Sequence, residues 1–179
     1  MQGLSLKNVS IHPDTIKNYL DFFQDSFLVN EVKRYDVKGK KYINTPMKYY
    51  FTDIGIRNQC LNFRQLEETH IMENIIYNEL LIRGYSVDVG EVEYSYYDEQ
   101  KKRIQKQLEV DFVCNLASER IYIQSTLALP TIEKELQETN SLRRINDSFK
   151  KIIISKESPT HYNNDGILIQ NLFDWLLDS

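Results

Sequence analysis

The chain has 179 residues, with 22 Lys/Arg against 26 Asp/Glu, a net charge of −4, 41% hydrophobic and 27% charged residues. These totals fit a soluble globular protein rather than a disordered one, with one ordinary domain, or a small one followed by a medium one. No apolar run is long enough to cross a bilayer, no signal-peptide pattern opens the chain, and Cys60 and Cys114 lack metal-ligand spacing, which together read as a cytoplasmic protein with reduced thiols.

The first segment, SLKNVSIHPDTIKNYLDFFQDSFLVNEVKRYD, begins as though inside a domain. A helix is predicted from His12–Pro13–Asp14–Thr15, since proline is tolerated in a first turn and Ile16, Tyr19, Leu20 and Phe23 keep helical spacing. Phe27–Val29 leads into VKRYDVKGKKYINTPMKYYF, which reads as a hairpin with Gly39 at its turn. A helix followed by a basic hairpin is the latter half of a winged helix. Such a module docks its helix on DNA and runs the hairpin along the phosphates, here through Lys33, Arg34, Lys38, Lys40 and Lys41. A scaffold that never touches nucleic acid fits these residues equally well, because no helix face is rich in Arg. Residues 1–50 carry a net charge of +3 and residues 51–179 one of −7. A partial winged-helix module over 1–50 and a second domain over 51–179 are therefore expected, although a solvated surface also accounts for the charge.

Thr52 and Asp53 are capping residues ahead of a short linking helix, Ile54–Leu61. The segment EETHIMENIIYNELLIRGY predicts a longer helix closed by Gly84. Its apolar face holds Ile76 and Leu80, and Glu73 shares that face by helical spacing. A carboxylate aimed at a core needs a partner, a metal or a raised pKa, and a bond to a backbone amide or an Arg meets that need too. Tyr85–Val89 and Val92–Tyr97 read as two strands, and Asp98–Lys102 as a charged turn.

Gln107–Leu129, QLEVDFVCNLASERIYIQSTLAL, predicts two strands joined by a polar turn. Alternation puts Glu109 and Asp111 on one face of the first, opposite to Leu108, Val110 and Phe112. In the second, Gln124 and Thr126 share a face, with Ile121, Ile123 and Ser125 on the other. A helix then runs from Pro130–Thr131 to Arg144, followed by a buried strand at Lys151–Ser155. Strand, helix and strand make a βαβ unit with parallel strands. Asn163–Gly166 is a turn, and ILIQNLFDWLL closes the chain against the sheet.

Helix, three strands, helix, strand is the order of the restriction-endonuclease-like, or PD-(D/E)XK, core. The expected fold class is thus an α/β mixed sheet flanked by helices, preceded by a partial winged helix. In that superfamily a helix Glu, a strand Asp and an E-x-K meet at one sheet edge. Here Glu73 takes the helix position and Asp111 the strand position, while Gln124 stands for the second acid and Thr126 for the Lys. Glu73 and Asp111, with Glu109 nearby and Gln124 as a neutral ligand, offer weak ligation for Mg²⁺ at best, and no other cofactor is expected. Thr126 cannot position an attacking water as an amine does, and Lys134 on the following helix is the one cation placed to reach back. A nuclease site without catalysis is the resulting expectation, with a Mg²⁺-dependent nuclease as the alternative.

KYYFTDIGIRN, MENIIYNELLIRGYSVDVG, LEVDFV and RIYIQSTLAL, in that order, resemble the C-terminal half of a prokaryotic ATPase family built from an AAA+ module, a winged helix and a PD-(D/E)XK-like domain. The resemblance runs from about Ser5 to the final helix. It implies an ATP-driven module upstream, and so an excised fragment or a truncated gene product. The chain itself has no Gly-rich phosphate loop, since Gly39–Lys40 lacks the earlier glycine of that pattern, so ATP binding is not expected. The implied role is a non-catalytic interaction module that binds DNA or a protein partner, including the AAA+ module or a second copy of itself, and no membrane.

Overall fold

The computed structural model describes residues 12–64 and 66–178. The opening residues read as the inside of a domain lie outside this range up to residue 11. Among the described residues the chain forms an α/β fold on one eight-stranded mixed sheet. In chain order the elements are α1 (Pro13–Asp25), β1 (Val29–Asp36), β2 (Lys41–Phe51), α2 (Ile54–Cys60), α3 (Glu68–Ile82), β3 (Ser86–Tyr97) and β4 (Arg103–Leu116). They continue with β5 (Glu119–Thr126), α4 (Ile132–Arg143), β6 (Lys150–Ser155), β7 (His161–Tyr162), β8 (Leu168–Asn171) and α5 (Leu172–Leu177). The strand order is β2-β1-β3-β4-β5-β6-β8-β7.

Local signals explain most boundaries. His12 and Asp53 cap α1 and α2 with their side chains, Thr131 caps α4 and Asn171 caps α5. Gly84, at φ +83°, lets the chain leave α3 and turn into β3. β5 and β6 are parallel across α4, the βαβ unit that the pattern predicts.

Three expectations are corrected. The β1–β2 hairpin is no separate wing: β1 pairs in parallel with β3 at Arg34–Asp36, so the sheet runs on through the boundary expected after residue 50. The two strands expected at 85–89 and 92–97 form one, Ser86–Tyr97, because Gly90 marks a close approach instead of a break. A Cβ there would stand 2.8 Å from Val113 Cγ2 and 2.9 Å from Val110 Cβ. The alternation of β4 is also interrupted. Asp88 pairs with Val113 and Gly90 with Val110, so β4 carries one extra residue across that interval. In consequence Val110 and Val113 join the core on the α4 side, while Phe112 packs on the α3 side.

Two layers cover the sheet. On one face α3 and α5 bury Ile76, Tyr77, Leu80, Leu172 and Trp175 against Phe112, Ile123, Ile152 and Ile154. On the other, Leu142 and Ile145, at the end of α4 and just beyond it, pack on Val92, Tyr122, Ile153 and Ile169. The edge strand β2 is held to α3 by an amide clamp. Asn74 accepts from Phe51 N at 2.9 Å and donates to Phe51 O at 2.7 Å, and Asn78 donates to the same oxygen. That clamp sets the end of β2 beside the α3 turn that carries Glu73.

Candidate functional site

Thr69, His70, Met72 and Glu73 from α3, Asp111 from β4, and Gln124–Leu127 from β5 line one cavity of about 180 Å³. The four residues singled out from the superfamily pattern, Glu73, Asp111, Gln124 and Thr126, are all on its wall. Glu73 arrives there because Ile76, Leu80 and Met72 hold that face of α3 on the sheet, leaving the carboxylate half-buried at the margin.

Hydrogen bonding divides these four. Asp111 Oδ2 accepts from both the amide and the hydroxyl of Ser125, each at 2.7 Å, and Oδ1 has no bond among the described residues. Gln124 lies on the α4 side of β5, where Ser141 donates to its Oε1 at 3.4 Å. Thr126 gives its hydroxyl to Ala128 O at 3.4 Å and touches neither acid. Ser125, between them, is the residue that engages Asp111, because β5 turns it toward the α3 side. Lys134 does not reach back: it is paired with Glu138 one turn along its own helix.

The partner of Glu73 comes from an unexpected element. Lys48 of β2 places its Nζ 2.8 Å from Glu73 Oε1 and 2.5 Å from Glu109 Oε1, and the Tyr50 hydroxyl donates to Glu73 Oε1 at 2.5 Å. Tyr50 is itself fixed by stacking on Tyr77, with centroids 4.3 Å apart. Arg34 extends the network, with Nη1 2.6 Å from Glu109 Oε2 and 3.2 Å from Glu91 Oε1, and Nε on Pro46 O at 2.6 Å. The Arg34 guanidinium, named from the sequence for a phosphate contact, is 12% exposed here and is engaged by oxygens of Pro46, Glu91 and Glu109.

These contacts set the electrostatics. Burial pushes the Asp111 carboxyl up to about 7, and the neighbouring Glu73 charge adds to that, against the Ser125 donors and Lys48. Burial alone would raise Glu109, yet Lys48 and Arg34 outweigh it and hold that carboxyl below its ordinary value. Burial alone would lower the Lys48 ammonium, and the charges of Glu73 and Glu109 reverse this. Burial first, then Glu73, raises the Tyr50 hydroxyl, which stays protonated and donating. The resemblance drawn from the sequence implies a magnesium ion, which takes about six oxygens with carboxylates among them. The residues present do not fit it. One oxygen of Glu73 is already shared by an ammonium and a phenol, the second acid is an amide held by Ser141, and no cluster of three metal-ligating side chains occurs among the described residues.

The other basic residues named from the sequence lie on the hairpin and its turn. Lys33 sits 6.0 Å from the Tyr42 ring centroid, and Lys38 donates to Glu93 O at 2.8 Å. Lys40 and Lys41 are exposed, Lys40 at φ +52° in the turn.

Residues 4–67 match a family described as a domain of unknown function, DUF8612. That match ends where α3 begins, so it covers the hairpin and its flanking helices but not the cavity acids. Over 174 residues, 97% of this chain, the sequence is 34% identical to an uncharacterized protein of Haemophilus influenzae (strain ATCC 51907 / DSM 11121 / KW20 / Rd). The chain spans 40% of the length of that curated relative. No solved structure matches it. No helix among the described residues is long and apolar enough to cross a membrane.

Proposed function

We propose that this chain is a restriction-endonuclease-like, PD-(D/E)XK domain whose cleavage site has become an internal ion-pair network, and that it serves as a non-catalytic, DNA-binding module of an AAA+ ATPase-family protein. The order α3, β3–β5, α4, β6 and the shared cavity of Glu73 and Asp111 support the fold assignment. One observation carries the loss of catalysis. The position that needs an amine is Thr126, a buried hydroxyl bonded to a backbone carbonyl, so nothing on β5 orients water or offsets phosphate charge. The Haemophilus influenzae relative is more than twice as long as the region it shares with this chain, which leaves room for a further module in that protein.

The test is incubation with duplex, branched and single-stranded DNA in Mg²⁺ and in Mn²⁺, alongside binding assays with the same DNAs. Binding without cleavage is the expected result. Cleavage that disappears in Asp111→Ala overturns the non-catalytic reading, and no binding to any form at low salt overturns the DNA-binding one. A second reading, a metal-assisted nuclease, rests on Lys48: an ammonium does stand beside Glu73, delivered by β2 instead of β5. Metal-dependent cleavage lost in Lys48→Met as well as in Asp111→Ala would establish it.

A further inference from the structure

Beyond the sheet, β3 and β4 continue as a two-stranded ribbon. β1 pairs with β3 only as far as Glu91, and β5 pairs with β4 only from Phe112. Val92–Tyr97 and Arg103–Leu108 therefore have each other as strand partners and no strand on either outer edge. At about 3.3 Å per residue this ribbon is about 20 Å long.

Its two faces differ in charge. Val92 belongs to the core on the α4 side, so Tyr94 and Tyr96 follow on that face, with their cross-strand partners Lys106 and Ile104. The opposite face takes Glu91, Glu93 and Glu109. The strand positions on the α4 side thus hold no carboxylate. The Arg144 guanidinium, from the end of α4, lies 3.7 Å from the Tyr94 ring centroid, and Lys106 Nζ lies 5.4 Å from that of Tyr96. Continuing the alternation into the turn puts Lys102, two residues before Ile104, on the same side, together with Asp98, two residues after Tyr96. Among the described residues Lys102, Lys106 and Arg144 make no ion pair; the one side-chain hydrogen bond of the three runs from Arg144 Nε to Asn140 at 3.0 Å. In a chain of net charge −4, three cations without an ion pair stand out on a face whose strand positions carry no acid and whose turn carries one, Asp98.

We propose that this face of the ribbon is the surface on which the chain contacts duplex DNA, with Lys102, Lys106 and Arg144 meeting backbone phosphates; this rests on the reading of the chain as a DNA-binding module. Charge complementarity names the phosphodiester. The duplex follows from the rings. A platform for unpaired bases offers bare aromatic faces, whereas here cations lie over Tyr94 and Tyr96. A two-stranded ribbon also fits the width of a major groove.

Fluorescence anisotropy with a labelled duplex of about 20 base pairs and its single strand, at about 50 and 200 mM salt, tests this. Wild type should prefer the duplex. The triple variant Lys102→Ala, Lys106→Ala, Arg144→Gln should bind at least about tenfold more weakly at low salt, with the slope of log K against log salt flattened by about 2–3. Because Arg144 packs on Tyr94, Lys102→Glu with Lys106→Glu is measured beside it, and should lose at least about tenfold while keeping the wild-type circular dichroism spectrum. Retained affinity in that charge-reversal pair, with a loss instead in Lys38→Ala, Lys40→Ala, Lys41→Ala, overturns the assignment while leaving DNA binding intact. Equal or tighter binding of the single strand also overturns it. Failure of wild type to bind any DNA removes the reading on which it rests.

Discussion

Lysine and arginine serve opposite ends in two parts of this sheet. In the region where β1 and β2 lie against α3 and the inner half of β4, Arg34 and Lys48 are spoken for: each bridges two carboxylates drawn from different elements. On the ribbon beyond the sheet and the end of α4 beside it, the charged groups of Lys102, Lys106 and Arg144 lie over rings or in solvent and make no ion pair. Covering a strand withdraws water from a charge and obliges it to find a counter-charge; an uncovered strand imposes no such need. Cations in the covered region are thus part of the fold, and those in the ribbon are free for a partner.

The largest effect that sharpens this contrast is expected at Lys48. Lys48→Met strands Glu73 half-buried beside Asp111 and leaves Glu109 to Arg34 alone. Breaking a fully buried pair costs about 3–5 kcal/mol, and with Lys48 24% and Glu73 17% exposed a loss of about 2 kcal/mol is expected in urea unfolding. Adding Glu73→Gln should recover part of it, since the leftover charge is the source of the penalty. A single variant as stable as wild type would mean that the covered cations are no more structural than the ribbon's.

Asp111 supplies the next effect, one of pH. Its folded-state carboxyl is raised from an ordinary value of 3.8 to about 7. Between those values the native state holds a proton that the unfolded chain has lost. This group's contribution to stability is therefore complete below about pH 4 and declines as pH rises toward 7. Asp111→Asn should flatten that decline, so the difference between the two stability profiles should grow in the variant's favour from pH 4 to 7. Parallel profiles would show that Asp111 is ionised throughout and that the Lys48 network satisfies it.

How much of this was legible in the sequence depends on the range of the signal. Helical spacing put Glu73 on the face of Ile76 and Leu80, and the βαβ order of β5, α4 and β6 followed from pattern alone. The partner of Glu73 did not. Lys48 lies 25 residues away on an edge strand, and no local rule brings the two together. One clue was present: Lys48 and Tyr50 alternate in MKYYF, so a lysine shares a face with a tyrosine that proves to be buried. The irregularity in β4 left no trace either, because VDFVC satisfies both the regular and the interrupted register. The two strands expected on either side of Gly90 are one, since a glycine that admits two valines and one that breaks a strand look alike until the neighbouring strands are placed.

The smallest effect is expected in the ribbon, and it bears hardest on the comparison. Lys102 joins the turn through its backbone alone, its amide donating to Asp98 Oδ1 at 2.8 Å and its carbonyl accepting from Asp98 N at 3.0 Å. Alanine keeps both bonds and removes only a free ammonium. Lys102→Ala should thus leave urea unfolding within about 0.5 kcal/mol of wild type, with an unchanged m-value. A loss above about 1 kcal/mol would place the ammonium within the fold, and the distinction between covered and uncovered cations would fail at the residue that illustrates it most simply.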